Sequence, residues 1–239
     1  MARPSRWIPN WHGAWAMLIA PLLVGVIAGG LSWIHLPLAA FWIIGYFAFF
    51  ATTVWLKSRR KRRYLTPMLV WGAIAAALGL LVAFLQPGLV TWAPMFIVPL
   101  GAGLVASAIR DERSLWSGIA TTAGSCLMTV VAFDAAGGHP FSQAWLLALV
   151  LALYFVGTVF YVKTIIRERG DKRWWWASVL FHAVSAIGVW FVSPWMTLVF
   201  ALLTVRAAVV PRFAPTPKQA GFGEVASTLL VSVVALLVV

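Results

Sequence analysis

The sequence predicts an all-α protein: one polytopic transmembrane domain over residues 1–239, with about nine helices and a cytoplasmic amino terminus. Three observations carry that expectation. The chain is 62% hydrophobic and only 10% charged, against roughly 25% charged residues in a soluble domain. Its apolar runs are continuous and long enough to cross a bilayer. All of its Lys and Arg can be placed on one side of those runs.

A spanning helix needs roughly 20 apolar residues. Such segments occur at about 14–34, 37–56, 66–85, 90–109, 117–133, 143–162, 175–192, 195–210 and 225–239. They are apolar throughout rather than alternating, which selects helices over the strands of a membrane barrel. The first follows Arg3 and Arg6 and is longer than the core of a signal peptide, so it reads as a retained helix.

Basic residues fix the orientation. Lys57 to Arg63 (KSRRKRR) follow the second segment, Arg110 and Arg113 the fourth, Lys163 to Arg173 the sixth, and Arg206, Arg212 and Lys218 the eighth. The alternate connections carry no Lys or Arg: those near His35-Leu36-Pro37, Gln86-Pro87-Gly88, Asp134 to Ser142, and Ser193-Pro194. Basic residues are retained on the cytoplasmic side, so the charged loops are expected to face the cytoplasm. Many of the fifteen Trp lie near segment ends, where an indole buries its ring and keeps its N–H wet.

The net charge of +12 has the same origin. With no soluble module to carry it, it points to membrane lipids as partners and excludes nucleic acid. A single cysteine, Cys126, excludes an intramolecular disulfide. Pro21, Pro67, Pro94 and Pro99 within or beside spans, and small residues such as Gly25, Gly29, Gly79, Gly103 and Gly157, suit close helix packing. The longest non-apolar stretch, Pro211 to Glu224, reads as a cytoplasmic loop.

Candidate chemistry gathers on the cytoplasmic side. Arg110, Asp111, Glu112 and Arg113 follow the fourth segment; Arg167, Glu168, Arg169 and Asp171 follow the sixth. Guanidinium groups pair with phosphate or carboxylate in bidentate fashion, so these two turns form a candidate mouth for an anionic ligand. Asn10 and His12 join them at the entry to the first helix, where an N-cap and the helix dipole also favour an anion. No Asp, Glu or Lys is expected at mid-membrane, which argues against a proton pump with a buried carboxylate. Arg206, near the end of the eighth segment, is expected to snorkel to the interface. Of the four His, His12 with His182 and His35 with His139 share similar depths, but their spacing selects neither pair as metal or haem ligands. No catalytic motif, metal site or cofactor is identified.

The run HGAWAMLIAPLLVG, the basic loop after the second segment and YVKTIIRERGDKRW resemble the YwiC-like family of bacterial integral membrane proteins, over nearly the whole chain. That resemblance implies a bacterial membrane protein and supplies no catalytic residues. A more distant likeness, in the helix count and a Pro-x-x-x-Gly in the first helix, is to UbiA-type prenyltransferases. That family holds a prenyl diphosphate through Mg²⁺ on Asp-rich loops. The corresponding loop here is KSRRKRR, without a carboxylate, and the loop after the sixth segment offers Glu168 and Asp171.

Three readings follow. The first binds or moves an anionic small or lipid-like ligand from the cytoplasmic face. The second is a lipid-modifying enzyme on a UbiA-like scaffold. The third is an accessory subunit of a membrane complex. Convergence of Asp111, Glu112, Glu168 and Asp171 over a deep cavity would favour the enzyme.

Overall fold

A computed structural model of the chain describes residues 7–9 and 12–239, the side chain of His12 excepted. Among the described residues every regular element is helical: α1 (His12–Gly29), α2 (His35–Lys57), α3 (Leu65–Leu85), α4 (Ala93–Ala108), α5 (Leu115–Ala135), α6 (Phe141–Ile166), α7 (Lys172–Trp190), α8 (Pro194–Val209) and α9 (Pro217–Val238), with three short 3₁₀ turns between them. Seven of these stretches are long and apolar enough to cross a membrane. The protein is therefore a multi-pass, all-α membrane protein. The apolar part of α1, Gly13–Gly29, falls below the length of the seven. Lys172, Arg173 and three successive Trp make α7 the least apolar of the helices.

The boundaries depart from expectation where local capping decides them. The expected ninth segment began near residue 225, yet α9 starts at Pro217. Thr216 accepts from the Gln219 backbone while the Gln219 side chain accepts from the Thr216 N–H, a complete capping box with Pro217 in the first turn. A stretch rich in Pro and Gly is thus a helix start. At α6 the helix runs on to Ile166, because Tyr161 and Ile165 remain buried against Ala207 and Ala220.

The chain forms two compact units, Met1–Phe141 and Ser142–Val239. In the first, α1 packs along α5, α2 along α3, and α4 against both α2 and α5. Its core joins Leu22 and Val26 of α1, Leu38 of α2, Val82 of α3, and Met128, Val131, Ala132 and Ala135 of α5. Gly25 and Gly29 set the closeness of α1 to α5. A Cβ on Gly25 would sit 2.3 Å from the Thr129 carbonyl oxygen, and one on Gly29 would sit 2.7 Å from that of Phe133. Two glycines four apart therefore allow backbone contact between the helices, as small-residue stripes do in membranes. His35 fixes the start of α2: its Nδ1 accepts from the Ser32 N–H at 3.1 Å and its Nε2 donates to the Ala132 carbonyl at 2.9 Å.

In the second unit α7 and α8 form an antiparallel pair and α9 packs on α8. Ser193 caps α8 by accepting from the Trp195 N–H. Trp175 of α7 donates to the Ala208 carbonyl at the end of α8 at 3.1 Å.

Candidate functional site

Unit 1 carries a basic cleft where α2 and α4 end side by side. Both helices stop the same way. After α2, the Arg60 N–H reaches the Trp55 carbonyl at 3.0 Å and the Arg59 N–H reaches that of Leu56 at 3.1 Å. After α4, the Asp111 N–H reaches the Ala106 carbonyl at 2.7 Å and the Arg110 N–H that of Ser107 at 3.2 Å. These are paired reverse bonds of the Schellman type, which place the residue after the cap in the left-handed region. Glycine is usual there, because a Cβ costs roughly 1 kcal/mol or more. Here the residues are arginines: Arg59 at φ 58°, Arg60 at φ 59° and Arg110 at φ 62°.

Lys57, Ser58, Arg59, Lys61, Arg63, Tyr64 and Arg110 line a cleft of about 430 Å³. Leu56, Arg59, Arg60, Ala108, Ile109 and Arg110 line an adjoining one of about 510 Å³. Arg59 and Arg110 belong to both. The first cleft is lined mainly by cationic side chains; the second sets three arginines against Leu56, Ala108 and Ile109. Arg110 Nη2 also donates to the Lys57 carbonyl at 3.2 Å, closing one free carbonyl of α2. The cations and the negative ends of two helix dipoles hold one another. Glu112 ion-pairs with Lys57, so one acidic residue trims the positive charge without cancelling it.

The expected site residues separate by what holds them. Arg110 lines both clefts. Glu112 touches their rim through Lys57. Asp111 accepts from Trp116 Nε1 at 3.0 Å. Arg113 lies exposed on the same turn and is itself engaged. In unit 2, Arg169 closes the end of α6: Nε donates to the Ile165 carbonyl at 3.1 Å and Nη2 to the Pro215 carbonyl at 2.9 Å. Asp171 is the N-cap of α7 and accepts from the Arg173 N–H at 2.7 Å. Arg167 and Glu168 lie on the turn between them, with Arg167 engaged. Asn10 and the His12 side chain lie outside the described residues. Among the described residues no three His, Cys, Asp or Glu come together around a metal-sized point. Both His35 nitrogens are spent on backbone, and His139 packs edge-on against Phe141 at 5.3 Å.

Sequence reasoning missed the left-handed arginines. KSRRKRR reads as a topology signal, and nothing in it marks which Arg ends the helix. It also misplaced Glu224 and Arg206, which are neither loop-bound nor snorkelling. Glu224 lies two turns inside α9, and its side chain is 12% exposed against 15% for Arg206. Glu224 Oε1 is 2.7 Å from Arg206 Nη1. The contact is an ion pair without hydrogen-bond geometry at Oε1, while Nη1 donates to Ser227 Oγ, also at 2.7 Å. Oε2 accepts from Thr158 Oγ1 at 2.7 Å and from the Tyr154 hydroxyl at 3.1 Å. Tyr154 occupies the middle of the 26-residue α6, so the carboxylate packs against that helix rather than sitting in a loop. The capping box that starts α9 early is what carries Glu224 inward.

A sequence model of the YwiC-like protein family matches residues 8–133, which fall within unit 1. A Bacillus subtilis protein named "Uncharacterized protein YwiC" is 32% identical over 205 residues, 84% of each chain. An "Uncharacterized protein" of Haemophilus influenzae is 29% identical over 236 residues, 92% of this chain and 93% of its own. No solved structure matches. The chain belongs to the YwiC-like family.

Proposed function

We propose that this is a bacterial inner-membrane protein whose cytoplasmic face binds a phosphate-bearing anion in the basic cleft of unit 1. One observation carries the reading: Arg59 and Arg110 are held at left-handed positions, at a backbone cost glycine would avoid, and both line both clefts. Their guanidinium groups suit the bidentate geometry of phosphate oxygens. Leu56, Ala108 and Ile109 offer the apolar wall that the hydrocarbon of a lipid-like ligand needs. The one-sided Lys/Arg distribution supports the cytoplasmic assignment.

Titration of the purified chain with inorganic pyrophosphate tests the reading. Arg59→Gln and Arg110→Gln each weaken binding about tenfold, as loss of a charge-assisted pair of hydrogen bonds does. Arg169→Gln, whose side chain is spent on backbone carbonyls, leaves affinity unchanged. Equal affinity in all three variants overturns it.

A further inference from the structure

The ion pair of unit 2 is half used. Among the described residues no acceptor reaches Arg206 Nε or Nη2, though both are buried. These two nitrogens form the edge of the guanidinium that takes two oxygens side by side. The face of the group is covered by Tyr161, whose ring centroid is 4.2 Å from Cζ. A buried cation whose bidentate edge finds no acceptor among the described residues is costly, and an ionisable pair inside an apolar bundle is a functional site by default.

The surroundings form one constellation. Tyr154, Gly157, Thr158 and Tyr161 recur at helical spacing on a single face of α6. Tyr154 and Thr158 hold Glu224, and Tyr161 covers Arg206. The bare Gly157 admits the His182 ring from α7, and a Cβ there would lie 2.9 Å from His182 Nε2. His182 is 2% exposed. Its Nδ1 donates to the Ser178 carbonyl at 2.7 Å, leaving Nε2 a buried lone pair without a partner. The titratable and charged groups of the constellation are thus Tyr154 and Tyr161 from α6, His182 from α7, Arg206 from α8 and Glu224 from α9.

We propose that Arg206 and Glu224 form a proton-linked binding site for a small carboxylate within unit 2. The carboxylate's two oxygens accept from Nε and Nη2. Charge counting supplies the proton. Arg206 with Glu224 is neutral; adding a monoanion leaves an uncompensated negative charge in an apolar interior, which is strongly unfavourable. One proton taken up on Glu224 restores neutrality, and Glu224 stays in place as the protonated acid. A dianionic phosphate would still leave one negative charge, so a monoanion is favoured.

Access comes from α9. Gly221 and Gly223 precede Glu224, and a Cβ at either would meet nothing within 4 Å. Packing does not require them, yet each weakens the helix by roughly 1 kcal/mol relative to alanine. The turn that carries Glu224 is therefore the soft part of α9 and can open locally.

The test uses the full chain carrying Arg59→Gly and Arg110→Gly, which silences the cleft of unit 1. It is titrated calorimetrically with acetate between about pH 5 and about pH 8, in buffers of different ionisation heat. One proton is taken up per acetate, and affinity falls about tenfold per pH unit where Glu224 is ionised in the free protein. Glu224→Gln keeps the shape of the site; it binds acetate at least as tightly, with no proton uptake and no pH dependence. Arg206→Gln weakens binding at least about tenfold. No acetate binding across the range, binding without proton uptake, or pH-dependent binding in Glu224→Gln overturns the proposal. Pyrophosphate binding by the cleft is scored on the unmodified chain, so either site can fail alone.

Discussion

An arginine at positive φ carries a backbone cost that interactions of its side chain can offset. That holds for Arg59 and Arg110, whose backbone N–H groups are already satisfied by the helix ends. Under the proposed reading, the strain serves the guanidinium groups at the cleft. Arg206 is the opposite case: its helix is regular and its cost lies in burial. Removing one partner of a buried ion pair leaves an isolated charge, which costs about 3–5 kcal/mol, whereas replacing both with apolar residues is often neutral. Arg206→Leu should therefore lower the denaturation midpoint sharply, and Arg206→Leu with Glu224→Leu should recover most of the loss. A double variant as unstable as the single one would mean that the polar cluster, rather than the pair, holds α9 in place. None of this was legible from residue type. Arg206 and Glu224 lie near expected segment ends, where charges are ordinarily solvated, and the packing of α6 residues around the α8–α9 pair takes them from water.

At the scale of elements, α1 and α5 meet through backbone at Gly25 and Gly29. Gly25→Val would drive a side chain into the Thr129 carbonyl and should cost about 1–3 kcal/mol. Gly72→Ala, with nothing within 4 Å of its Cβ, should leave stability unchanged or raise it. Chemical denaturation of the two variants compares them directly; equal loss would show that the close approach of α1 to α5 is not what makes Gly25 necessary. Close packing by Gly25 and Gly29 was readable in advance from their spacing. The start of α9 was readable only in part. Thr216-Pro217-Lys218-Gln219 has the pattern of a capping box, but the surrounding Pro and Gly masked it. Arg169 and Asp171 illustrate the converse: two residues that suit ligand chemistry are used to finish α6 and begin α7.

For the whole molecule, apolar segment length and one-sided charge foretold an all-helical, multi-pass protein, and the run HGAWAMLIAPLLVG with YVKTIIRERGDKRW pointed to the YwiC-like family. The helices set its boundaries, while the loops, whose backbone conformations no periodicity encodes, set the cleft. Cys126 is the chain's sole cysteine and is buried, so single introduced cysteines report topology cleanly. Cysteine at Lys61 should be labelled by an impermeant maleimide only in inside-out vesicles, and cysteine at Gly137 only in right-side-out ones. Labelling of both from one side would contradict the cytoplasmic placement of the cleft.

Arg59→Gly with Arg110→Gly decides whether the left-handed arginines are kept for an anion or for the fold. Thermal stability and pyrophosphate affinity are measured on the same protein. Relief of backbone strain, roughly 1 kcal/mol per site, predicts a melting temperature equal to or above that of the unmodified chain, with pyrophosphate binding weakened at least about a hundredfold. A clear drop in melting temperature with affinity intact would contradict the account and assign the arginines to the fold.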